Sequence, residues 1–212
     1  MSMQLTIPTP GLRQVGFDFT AYMRRVCHAI VRQNAELGHI DMQRVAVAFC
    51  QARKRVNYGL FASLTPLRFK DGAEVQVRRG RPFRIQRLVD PNGAEMLYIL
   101  RFYLPRFLDI PFREKLITIF HELWHISPAF DGDLRRHAGR CYAHTHSQAE
   151  YDEQMGQLAD RWLETHQPTE LVHPLQNTFA KLARQHQVIV GLRLPRPRII
   201  PCAGLSGVSA GP

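Results

Sequence analysis

Apolar residues in this 212-residue chain recur first at helical spacing and then at alternating spacing. Phe19, Tyr22, Met23, Val26 and Ile30, continued by Gln33, follow Asp18, a residue type that caps helix starts. They predict a helix from Asp18 to about Asn34, with Gly38 beyond its end. Val45, Val47 and Phe49 then alternate with smaller residues, and Leu60–Phe69, Glu74–Val77, Phe83–Val89 and Met96–Tyr103 are short β-prone runs. Turn signals at Asp71-Gly72, Gly80 and Asp90-Pro91-Asn92-Gly93 separate them, as in a meander of four or five strands. Pro111 suits the first turn of a second helix, whose stripe is Leu116, Ile119, Phe120, Leu123 and Ile126 and which Ser127-Pro128 should end. Ser147 with Glu150 forms a capping box before Tyr151, Met155, Leu158 and Trp162. A helix over 174–187 and a strand over 188–194 complete the pattern, with 133–146 irregular.

The expected architecture is α+β: an N-terminal helix, a mostly antiparallel sheet, then two helices framing a site. It forms one domain over residues 17–195. Residues 1–16 and the Pro-, Gly- and Ser-rich stretch 196–212 are expected to be a flexible lead-in and tail.

Composition narrows the class. Apolar residues at 45% and charged residues at 22% are ordinary globular usage. No apolar run of about 18 residues suggests a membrane span, and the first residues lack a signal-peptide pattern. Four cysteines, Cys27, Cys50, Cys141 and Cys202, stand far apart without a C-x-x-C pair, which argues against a zinc ribbon and for a reducing cytoplasm. The net charge of +10 comes mainly from arginine. It reads either as a compositional bias or as the footprint of a nucleic-acid partner.

The chemistry-bearing motif is His121-Glu122-Leu123-Trp124-His125. Helix positions four apart share a face, so both imidazoles can reach one ion. Glu122, rotated by about 100°, falls beside that ion rather than on it. Zinc accepts His nitrogen, uses three protein ligands in catalytic sites, and activates a water in the fourth position. Glu122 would serve as general base. About 0.02 matches to H-E-x-x-H are expected by chance in such a composition. By analogy with zinc peptidases, the β-prone segment Met96–Tyr103 would lie beside the site. The third ligand is open among His137, His144 and His146, with Asp131, Asp133, Glu150 and Asp152 as further candidates.

The stretch HELWHISPAFDGDLRRHAGRCYAHTHSQAEYD resembles the phage metallopeptidase family, small zincin-like proteins that carry H-E-L-x-H-I, a short loop with Phe and Gly, and an Arg-x-His-Gly-like segment. In this chain that segment reads His137-Ala138-Gly139, with the Gly displaced by one residue. The resemblance covers roughly residues 40–165. It implies a zincin-like fold distantly similar to the SprT-like proteases, a Zn2+ cofactor, and hydrolysis of a protein or peptide substrate. Among the candidate ligands it favours His137, with His144 the nearest rival. Trp124 reads as a packing residue or a substrate contact, and Tyr142 and Tyr151 read as structural residues or as hydrogen-bond partners of an oxyanion next to zinc. Arg135, Arg136 and Arg140 read as a solvated loop or a substrate clamp. Arg78-Arg79-Gly80-Arg81-Pro82-Phe83-Arg84 reads as a hairpin tip or a nucleic-acid contact.

Overall fold

The computed structural model describes residues 3–4, 16–52, 59–136, 148–166 and 169–202. Its strands are β1 (Met3–Gln4), β2 (Phe17–Asp18), β3 (Val45–Gln51), β4 (Ala62–Pro66), β5 (Val75–Arg78), β6 (Arg81–Ile85), β7 (Leu88–Val89), β8 (Tyr98–Leu104), β9 (Ile189–Val190) and β10 (Ile199–Pro201). Its α-helices are α1 (Phe19–Arg32), α2 (Arg106–Asp109), α3 (Phe112–Trp124), α4 (Gln148–His166), α5 (Thr169–Val172) and α6 (Phe179–His186). The protein is therefore mixed α and β. Among the described residues, no helix is long and apolar enough to cross a membrane.

The central sheet has the order β3-β8-β4. β8 takes the middle because its run YILRFYL is apolar on both faces, as a strand covered on both sides must be. Alternation sorts the residues. Val45, Val47 and Phe49 of β3, with Tyr98, Leu100 and Phe102 of β8, join the main core with the helices. Ala46, Ala48 and Ile99 face a smaller cluster with Leu67, Leu88 and Met96. Arg101, the one charged residue of β8, is buried and donates from Nη2 to the Leu194 carbonyl at 3.2 Å.

Asp18 caps α1 by accepting from the Ala21 N–H at 2.9 Å, and the helix lays Phe19, Tyr22, Met23, Val26 and Ile30 on the sheet. The Phe19 ring meets Phe102 edge-on at 5.7 Å. Burial of each such side chain stabilises the fold by roughly 1.5–3 kcal/mol.

Three expectations change. The strands do not form a meander, because β3 pairs in parallel with β8 whereas β4 pairs antiparallel with it, giving a mixed sheet. Met3–Gln4 and Ile199–Pro201, placed by the sequence in flexible ends, pair with β7 and β6. The helix expected over 174–187 divides. Asn177 is extended, and the Thr178 hydroxyl accepts from the Lys181 N–H at 3.3 Å, starting α6 afresh.

Candidate metal centre and cleft

Pro111 opens α3 as expected, and Leu116, Ile119, Phe120 and Leu123 anchor it in the core. α4 packs beside it, with the Phe120 and Trp162 rings edge-on at 6.4 Å. The helix stops at Trp124, ahead of Pro128, and His125 is its C-terminal cap. Arg135 accounts for the early stop. Its Nε donates to the Trp124 carbonyl at 2.7 Å, its backbone N–H donates to the His125 carbonyl at 2.7 Å, and its guanidinium lies 4.3 Å over the Trp124 ring. Carbonyls at a helix end need such donors, and a cation is favoured there. Trp124 and Arg135 thus clamp the end of the motif helix onto the returning chain.

That return is built around Asp133. Its buried carboxylate accepts from the Asp71 N–H at 2.9 Å, the Leu134 N–H at 2.8 Å, and Arg136 Nε at 2.9 Å and Nη2 at 3.0 Å. The Tyr98 hydroxyl donates to the Asp133 carbonyl at 2.9 Å. Gly132, at φ +88°, lies where an added Cβ would stand 2.5 Å from Arg68 Cγ, so a side chain has no room there. Asp131 Oδ1 accepts from the Asp133 N–H at 3.0 Å. Both carboxylates, candidate ligands from sequence, are occupied in shaping the loop, and Arg136 is committed to Asp133.

The His121 and His125 rings stand side by side, with centroids 4.7 Å apart and planes at 80°. Both are half-buried on the face of α3 that also carries Glu114, Ile117 and Thr118. Glu122 turns inward from that face and is only 9% exposed. Burial pushes its carboxyl up to about 7, partly opposed by a backbone hydrogen bond from Leu64 of β4.

The strand beside the motif is therefore β4, not the Met96–Tyr103 segment expected there, which became the middle strand β8. The Tyr103 N–H donates to the Phe61 carbonyl and the Leu67 N–H to the Leu97 carbonyl, both at 2.9 Å. Odd-numbered positions of this stretch thus bond to β8. Ala62 and Leu64 direct their backbone groups to the other edge, toward α3. A cleft of about 680 Å3 opens there, lined by residues 59–62, by Glu114, Thr118, His121 and Glu122, and by Glu153 and Gln157 of α4. Arg113, on its wall, is held by Asp160 at 2.6 Å.

Sequence reasoning missed Glu114, Glu153 and Gln157 as cleft residues. For Glu114, the signal was present in the spacing 114, 117, 118, 121, which marks one helix face. It also passed over His39. Burial first and then Arg135 push its imidazole pKa down. His137, His144, His146, Arg140 and Tyr142, and the side chains of Glu150, Tyr151 and Asp152, lie outside the described residues. Among the described residues, no group of three His, Cys, Asp or Glu side chains is arranged to hold a metal ion. In comparisons with protein-family models, curated proteins and solved structures, the chain matches none.

Proposed function

We propose that this protein is a zinc-dependent metallopeptidase of the H-E-x-x-H type with a zincin-like fold. The observation that carries the reading is the division of labour on α3. Two imidazoles lie side by side on α3, with His121 lining the cleft, while the one buried carboxylate between them in sequence faces the adjacent strand edge. The pair fits a zinc ion, since two ring nitrogens from one helix turn can converge on a single cation. A bound zinc ion would supply Lewis-acid polarisation of a carbonyl and a lowered pKa for water.

The chain's own groups supply the rest. Glu122 takes a proton from the attacking water and returns it to the leaving amine. In the metal-free chain its burial raises the carboxyl's pKa, and the adjacent cation would favour the carboxylate form that accepts the proton. The outward backbone groups of Ala62 and the Leu64 carbonyl can pair with an extended peptide, which fixes the scissile bond over His121 and Glu122. For the third ligand we favour His137, as the family resemblance does, with His144 as the alternative. The chain is brought back to the helix end at Arg135, two residues before His137.

Zinc content and hydrolysis of a quenched fluorescent protein substrate test the reading together. Wild type should hold one equivalent of zinc and cleave. His121→Ala should lose both properties, and Glu122→Gln should keep the metal without turnover. Full metal content in His121→Ala, or undiminished turnover in Glu122→Gln, would overturn it.

A further inference from the structure

The fold adds to an arginine cluster that the sequence already shows at residues 78–84. Arg78, Arg79, Arg81 and Arg84 flank one turn, and Arg198 precedes the strand β10, whereas Arg87 is paired with Glu74 and Glu95. β10 pairs antiparallel with β6, and β6 with β5, so these segments form one three-stranded sheet. At its free end Arg78, Arg79, Arg81, Phe83 and Ile199 line an open hollow of about 700 Å3. Arg78, Arg79, Arg81 and Arg198 are exposed, and none pairs with a carboxylate among the described residues. Val77, on the opposite face of the hairpin, is 67% exposed.

The turn itself carries a second observation. Arg79 sits at φ +49° and Gly80 at φ +73°, a two-residue turn in which Asn-Gly is the favoured pair. A long cationic side chain therefore occupies the position where local backbone preference asks for Asn or Gly. The charge is held at the tip against that preference.

From this convergence we propose that the β5–β6–β10 end binds the sugar–phosphate backbone of a nucleic acid, with Phe83 beside the arginines as a surface for a base. The surface is distinct from the cleft, whose lining carries Glu114 and Glu153 and shares no residue with the hollow. The two regions would engage chemically different partners.

Fluorescence anisotropy of the full chain with labelled 20-nucleotide single-stranded and duplex DNA and single-stranded RNA, at 50 and 200 mM KCl, tests the proposal. Wild type should bind at 50 mM and lose roughly tenfold or more in affinity at 200 mM. R78Q/R79N/R81Q should weaken binding at least tenfold and flatten the salt slope by about 2–3. The control R24Q/R25Q/R32Q removes the same charge from the exposed side of α1 and should change affinity less than threefold. R79N/R81Q leaves Arg78 on the Phe69 ring and keeps the comparison valid if the triple variant melts early. Equal losses in hairpin and control variants, or no binding at 50 mM, would overturn the assignment. So would binding to phosphatidylserine vesicles without binding to any oligonucleotide.

Discussion

Replacing Glu122 by Gln should make the metal-free protein more stable, and only above a definite pH. The carboxyl is 9% exposed, and burial moves it from its ordinary 4.5 to about 7. Below pH 4.5 it is protonated in both folded and unfolded chains and contributes nothing. Between pH 4.5 and 7 the folded chain binds more protons than the unfolded one, so stability falls as pH rises. Above 7 the loss is complete. At about 1.36 kcal/mol for each pH unit separating the two values, the ionised carboxylate costs on the order of 3 kcal/mol. Gln is nearly isosteric, carries no charge and still offers an oxygen to the Leu64 N–H, so the substitution removes the charge cost and little else. Urea unfolding with a chelator present, at pH 5 and at pH 8, measures the gap. The chelator matters because an adjacent cation would draw the carboxyl's pKa back down. The variant should exceed wild type by about 3 kcal/mol at pH 8, or roughly 6–12 °C in melting temperature for a chain of 212 residues, and by much less at pH 5. A gap that is equal at the two pH values, or a variant less stable at pH 8, would refute the reasoning.

Other substitutions probe the frame around the motif. Asp133→Ala should cost roughly 2–3 kcal/mol in urea titrations, since it removes the acceptor of the Asp71 and Leu134 backbone N–H groups and one partner of Arg136. Arg135→Ala should cost roughly 1–2 kcal/mol by loosening the end of α3 at Trp124, and zinc affinity should fall with it because His125 is the cap residue. Lys115 donates to the Leu175 and Asn177 carbonyls at 2.7 and 2.9 Å, and burial lowers its ammonium to about 8. From pH 8 to 10.5 the unfolded chain therefore binds the extra proton, and wild type should gain stability relative to Lys115→Met as pH rises. Zinc stoichiometry in His137→Ala against His144→Ala should separate the two candidate third ligands, with metal lost in the first and kept in the second.

What the sequence made legible was local. Asp18 before an apolar stripe and Pro111 at a helix start act within one turn, so α1 and α3 begin where their residues predict. Alternation in β3 and β8 likewise fixes which side chains share a face. It cannot name the partner strand, and the parallel pairing of Val45 with Tyr98 across more than fifty residues has no local signature. The same limit governed the site. His121 and His125 share a face by helix geometry alone, whereas the partner of Glu122 is a backbone N–H on β4, reachable only once the sheet is assembled.

Asp133 shows how that limit misleads. In an Asp-Gly-Asp turn downstream of two helical histidines, a carboxylate can equally serve a metal or a loop, and residue type does not distinguish them. The donors that settle its role are Arg136, three residues on, and the Asp71 backbone, 62 residues back. With its oxygens already accepting four hydrogen bonds, the carboxylate would have to break the loop to reach an ion at His121. The loop in turn holds Arg135 against the end of α3. Asp133 thus bears on the histidine pair through the helix that carries it, a positioning role that no spacing rule for ligands could have found.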